Sequence, residues 1–118
     1  MLWRAFEKEK LSKKALQAIS NTPELLINSI SIWEIGIKIK RKHLTIPISI
    51  ENFVHRLKEI DGVKIISIDE NIWLESLKLK WGHRDPADRV IVATAKILGM
   101  PIVSDDKKIK KFYKKVIW

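Results

Sequence analysis

The 118-residue chain has no cysteine, only four glycines and four prolines, and a single tyrosine. Each scarcity narrows what the protein can do. Without thiols there are neither disulfides nor thiolate metal sites, which fits an intracellular protein. Four scattered glycines build neither a phosphate-cradling loop nor a dinucleotide turn, and G-x-S-x-G is absent, so nucleotide-cofactor and serine-nucleophile chemistry have no residues to carry them. His43, His55 and His83 show no paired spacing, which argues against zinc. No apolar run approaches the roughly 20 residues that span a bilayer. Charges interrupt Met1-Leu2-Trp3-Arg4-Ala5-Phe6-Glu7 before a signal-peptide core can form. No Pro/Gly/Ser-rich linker divides the sequence, so one domain over residues 1–118 is expected, without membrane association and in the cytoplasm.

What is abundant is positive charge. Lysine and arginine total 23 against 14 acidic residues, a net charge of +9, which favours a polyanion such as RNA as partner. Eighteen of the 23 are lysine, so part of this charge is compositional. The five tryptophans, Trp3, Trp33, Trp73, Trp81 and Trp118, read as core or dimer-interface anchors, with Trp81 and Trp118 as candidates for stacking on a base.

Hydrophobic spacing predicts alternating helices and strands. A short helix from Leu11 has Ser12 as its cap and ends before Pro23, and the apolar stretch from Glu24 to Ile30 follows as a strand. Ser31 opens a helix running to about His43, with basic residues crowding its last turns. A helix over 50–60, closed by Asp61-Gly62, precedes a strand at Val63–Ser67 and a helix from about Asp69 to Leu79. Pro86 to Leu98 reads as a helix with Val90, Ile91, Thr94, Ile97 and Leu98 inward, ended by Gly99. Pro101–Ser104 is a strand, Lys107 to Tyr113 a basic helix or turn, and Val116-Ile117-Trp118 a closing strand. This alternation points to a parallel α/β sheet, whose sites lie beyond the carboxyl ends of its strands.

Several acidic residues fall at those ends, and each has a local reading beside the chemical one. Glu34 follows Ser31 by three, the capping-box spacing. Asp85 precedes Pro86 as an N-cap, and Asp88 is a first-turn acid. Asp105 and Asp106 fit a solvated turn after a strand. One such coincidence carries little. Three acidic segments gathered at one sheet edge repel each other unless a cation neutralises them, so that edge is a candidate divalent-metal site.

These segments resemble the PIN-domain ribonucleases, in particular the VapC-type toxins. The resemblance rests on Ser29-Ile-Ser-Ile-Trp-Glu-Ile-Gly-Ile-Lys38, His83-Arg-Asp-Pro-Ala-Asp-Arg89-Val-Ile-Val-Ala-Thr-Ala95 and Ile102-Val-Ser-Asp-Asp106 through Trp118, and covers essentially the whole chain. It implies a three-layer α/β/α fold with a central parallel sheet, and Mg²⁺ or Mn²⁺ held by Glu34, Asp85, Asp88 and Asp106, with Glu34, Asp88 and Asp106 catalytic. It further implies hydrolysis of RNA phosphodiesters, a cognate antitoxin and a homodimer. Lys38 and Arg89 become candidates for the site's charge balance or the scissile phosphate, and Lys40, Arg41, Lys107 and Lys108 for the RNA backbone, on basic faces at 40–42 and 107–115. Asp105 matches no family acid and receives no role. The family's first strand, ending in an acid, normally precedes an apolar-Trp pair that Met1-Leu2-Trp3 resembles, so the central strand and first acid are expected to be missing. The alternative reading is therefore an impaired PIN remnant that binds antitoxin or RNA without cutting.

Overall fold

The computed structural model describes the backbone of Leu2–Trp3 and residues 12–118. Five strands, β1 (Leu2–Trp3), β2 (Leu25–Asn28), β3 (Val63–Ile66), β4 (Ile102–Val103) and β5 (Val116–Ile117), form one sheet in the order β3-β2-β1-β4-β5. Every neighbouring pair is parallel. The helices are α1 (Lys13–Asn21), α2 (Ser29–Lys40), α3 (Ile50–Glu59), α4 (Glu70–Lys78), α5 (Pro86–Leu98) and α6 (Lys107–Phe112). Right-handed crossovers put α1–α3 on one face of such a sheet and α4–α6 on the other, giving the expected three layers.

The centre of the sheet corrects one expectation. The first strand is not missing: Leu2 pairs with Leu26 of β2 and with Ile102 of β4, and Trp3 with Val103. The buried backbone of β2 and β4 needs hydrogen-bond partners between them, and an extended apolar dipeptide supplies them. β1 nevertheless carries Leu2 and Trp3 and no carboxylate.

The core is built around α5. Asp85 caps it, Pro86 occupies its first turn, and Gly99 ends it in the left-handed conformation at φ 63°. Val90, Ile91, Val92, Ala93, Thr94 and Ala95 are all fully buried, together with Ile102 and Ile109. Burial on all sides follows from enclosure: α5 packs on both α4 and α2, and the small Ala93 and Ala95 allow close approach. Ile97 and Leu98, expected inward, are each 46% exposed, because the last turn of α5 leaves this enclosure.

Two local features fix the ends of β2. Asn28, fully buried at the end of β2, accepts from the Ile30 amide through Oδ1 (2.9 Å) and so caps α2. Its Nδ2 donates to Thr94 Oγ1 on α5 (2.9 Å), and that hydroxyl donates to Val90 O (2.7 Å). The helix therefore opens at Ser29, two residues before the expected Ser31, which is buried inside the first turn. At the other end of β2, the Leu25 amide donates to Gly62 O at 2.7 Å. Gly62 has φ 82°, and a Cβ there would lie 2.8 Å from Pro23 O. Gly62→Ala is expected to destabilise the fold by about 2 kcal/mol, readable as a lower urea midpoint at unchanged m.

Candidate functional site

The carboxyl edge of the sheet leads into α2, into the loop before α6, and lies beside the N-terminus of α5. Asp85 stands just before α5 because Pro86 cannot donate a backbone hydrogen bond and its fixed φ suits a first turn. Asp85 Oδ1 accepts from the amides of Ala87 (2.9 Å) and Asp88 (3.4 Å), as its capping reading requires. Asp88, one turn in, is 2% exposed, and its Oδ2 lies 2.6 Å from His83 Nε2. Ligand atoms of His83, Asp85 and Asp88 all fall within 4.8 Å of one another. Asp85 and Asp88 share a groove of about 460 Å³ with His83, Asp105, Asp106, Lys107 and Lys108. Asp106 is also a cap, its Oδ1 accepting from the Lys108 (2.8 Å) and Ile109 (3.1 Å) amides.

Glu34 is reached from the other side. Because Asn28 is the cap of α2, Glu34 is the sixth helical residue, and the capping-box account of it fails. It is half-buried and lines a second groove, of about 690 Å³, with Trp33, Ile37, Lys38, Arg41 and Asp85. Among the described residues, Asp85 is thus the side chain common to both grooves. The structure brings Asp85, Asp88 and Asp106 to one groove and sets Glu34 in the adjoining one.

The basic candidates separate. Lys107 and Lys108 are exposed in the acidic groove, and Lys38 and Arg41 line the groove of Glu34. Lys40 is exposed on the last turn of α2 and lines neither. Arg89 is a correction. Its Nε and Nη2 donate to Ser76 O (3.2 and 2.7 Å), Nη2 also to Leu79 O (3.0 Å), and Nη1 to Trp81 O (2.6 Å) and His83 O (3.0 Å). A guanidinium offers five N–H bonds, and these contacts engage it from every side, so it is not available to a phosphate. It closes the C-terminal end of α4 and holds the loop that carries His83.

A divalent cation fits this donor set. Two ligands of one Mg²⁺ or Mn²⁺ ion lie at most about 4.2 Å apart, so the Asp85 and Asp88 oxygens, within 4.8 Å of each other, need close by no more than about half an ångström to share an ion. Each carboxylate has lone pairs beyond those used in capping. The imidazole favours Mn²⁺ over Mg²⁺ if it ligates directly; as a hydrogen-bond partner of Asp88 it orients that carboxylate instead. The 2.6 Å contact is a hydrogen-bond distance and supports the second role.

The family model for the PIN domain matches residues 1–115. The chain belongs to the PIN-domain family. It is 28% identical over 109 residues to Ribonuclease VapC22 of Mycobacterium tuberculosis, covering 92% of this chain and 82% of that protein. Its fold is similar to a chain of a toxin-antitoxin complex from Klebsiella pneumoniae, with a TM-score of 0.64 at 21% identity, over 91% of this chain and 84% of that one.

In this PIN domain, the acidic groove also holds two residues to which the sequence assigns no role at the site, His83 and Asp105. His83 sits within the motif that carries the resemblance, but its partner depends on the course of residues 79–83, which Arg89 determines. Asp105 is exposed beside Asp106 and lines the same groove, adding negative potential there. Two of the tryptophans are not core, Trp33 being 64% exposed and Trp73 44%, whereas Trp81 packs against the core, stacking on Phe112 with centroids 4.6 Å apart and tilting against His83 at 4.8 Å.

Proposed function

We propose that this protein is a divalent-metal-dependent endoribonuclease and the toxin of a toxin–antitoxin pair. The observation that carries the reading is the gathering of Asp85, Asp88, Asp106 and His83 in one groove at the carboxyl edge of a PIN-domain sheet, on a chain of net charge +9. Asp85, Asp88 and Asp106 hold Mg²⁺ or Mn²⁺, with Glu34 contributing from the adjoining groove. Such an ion supplies activation of water and neutralisation of charge on the phosphate. The chain's own residues do the rest. Backbone amides at the start of α5 hold Asp85, His83 orients Asp88, and Lys107 and Lys108 meet the phosphates flanking the scissile one. VapC22 is named a ribonuclease, and the fold neighbour comes from a toxin–antitoxin complex, which supports RNA as substrate and an antitoxin as partner.

The test is cleavage of single-stranded RNA by purified protein with Mg²⁺ or Mn²⁺ and its loss with chelator. The second reading, a binder that does not cut, is favoured by a β1 without a carboxylate; RNA retained without any cleavage under either ion would establish it. His83→Ala is expected to weaken Mn²⁺ binding about tenfold by calorimetry while the fold persists, as for other hydrogen-bond partners of metal ligands. A homodimer is part of the proposal. Trp73, Leu74 and Leu77 on α4 are exposed, Leu77 by 77%, and a second copy would cover them. Leu77→Glu is expected to shift the mass measured by light scattering from dimer to monomer.

A further inference from the structure

At the opposite end of α5 from the acids lies a groove of about 560 Å³ with a different character. Its rim carries Lys78, Lys80, Lys96, Lys114 and Lys115, all exposed, with Lys96 Nζ 3.5 Å from Glu75 Oε2, and no carboxylate is among its described lining residues. Its floor is apolar and aromatic: Leu79, Val92, Phe112 and Tyr113. Tyr113 is anchored there by donation to Met100 O at 2.8 Å, and burial pushes its phenol pKa up, so the ring remains neutral. Lys96 lies eight residues beyond Asp88 on α5, about 12 Å along the axis at the helical rise.

Two features connect this groove to the acids. Phe112, in its floor, stacks on Trp81, which packs against His83, the partner of Asp88. The exposed lysines of α6 and its flanks also link the two grooves along the chain, with Lys107 and Lys108 lining the acidic groove, Lys110 and Lys111 next in sequence, and Lys114 and Lys115 lining the far groove. An acidic peptide would be satisfied by the groove alone. A polymer with one negative charge per unit has use for the whole path.

We propose that this groove is a second RNA-binding site, which anchors the phosphate backbone of the substrate away from the acids and takes no part in cleavage. The inference rests on RNA being the substrate of the acidic groove. Anchoring in the lysine-rimmed groove leaves the strand to run along α6 into the acidic groove, so long RNA gains affinity that a short oligonucleotide cannot.

The test compares two triple variants with equal charge change, each in an Asp88→Asn background so that binding is read without cleavage. One is Lys80→Glu, Lys114→Glu and Lys115→Glu; the control, at lysines that line neither groove, is Lys13→Glu, Lys14→Glu and Lys58→Glu. Affinity for a single-stranded RNA of about 20 nucleotides is measured against salt, where each lost phosphate contact lowers the slope of log K by about 0.7. The groove variant is expected to lose about 2 from that slope and at least tenfold in affinity, with the control variant unchanged. Should the glutamates disturb the fold by circular dichroism, glutamine replaces them at the same positions. Equal losses in both variants, a wild-type slope in the groove variant, or no RNA binding by any form would overturn the proposal. With Asp88 intact, the groove variant raises KM for long RNA and leaves kcat unchanged. Groove-dependent binding by a protein that cleaves nothing would refute the nuclease reading and leave this site standing.

Discussion

Asp88→Asn is expected to lower metal-dependent RNA cleavage by about a thousandfold while the protein stays folded and still binds RNA. Asp88 is nearly fully buried, its Oδ2 lies 2.6 Å from His83 Nε2, and it shares a 4.8 Å cluster with His83 and Asp85. Asparagine keeps the shape, and its carbonyl still accepts from His83, but the negative charge that attracts a divalent ion is gone. Weaker ion binding removes both water activation and charge neutralisation, together worth about 4 kcal/mol of transition-state stabilisation. Single-turnover cleavage with saturating RNA reads the effect directly, and calorimetric Mn²⁺ titration separates lost ion affinity from lost chemistry. Asp105→Asn, in the same groove but exposed, is the comparison: a drop of similar size there would mean that general negative potential matters more than a defined ligand set.

Arg89→Ala is expected to destabilise the protein by about 3 kcal/mol, a fall in melting temperature of roughly 10–15 °C for a domain of this size. One guanidinium reaches four carbonyl oxygens, those of Ser76, Leu79, Trp81 and His83, and three of these close the end of α4 and the turn after it. A cation at a helix C-terminus is favourable in itself, and its removal leaves carbonyls in a half-buried loop without donors. Arg89→Lys retains the charge but not the planar fork, so it is expected to recover less than half of the loss. RNA affinity per folded molecule should be unchanged in Arg89→Lys. A weakened affinity at unchanged stability would return Arg89 to the phosphate-binding role suggested by its place in the motif.

Much of the fold was legible because its signals are local. α5 runs from Pro86 to Leu98, the same bounds that its N-cap, proline and terminal glycine indicate, since each acts within one turn. Ser12 and Asp69 cap α1 and α4 for the same reason. Asp85, Asp88 and Asp106 share one groove, as their motifs suggest, because a parallel sheet gathers the segments that leave its strands at a single edge. Glu34 was harder. Its spacing from Ser31 favours a capping box, and only the buried Asn28, held by Thr94 across 66 residues of chain, shows that the cap lies elsewhere.

The sequence by itself determined the order of the elements from α1 onward, the caps of α1, α4 and α5, the basic charge and the acidic segments, all properties written within a few residues of one another. Tertiary structure alone decided that Leu2–Trp3 fills the centre of the sheet, that His83 meets Asp88, that Arg89 serves carbonyls, and that lysines from α4, α5 and the approach to β5 rim one groove. The physical reason is common to these cases. A buried donor or acceptor must find a partner wherever the chain offers one, and which partner is nearest depends on how distant segments pack.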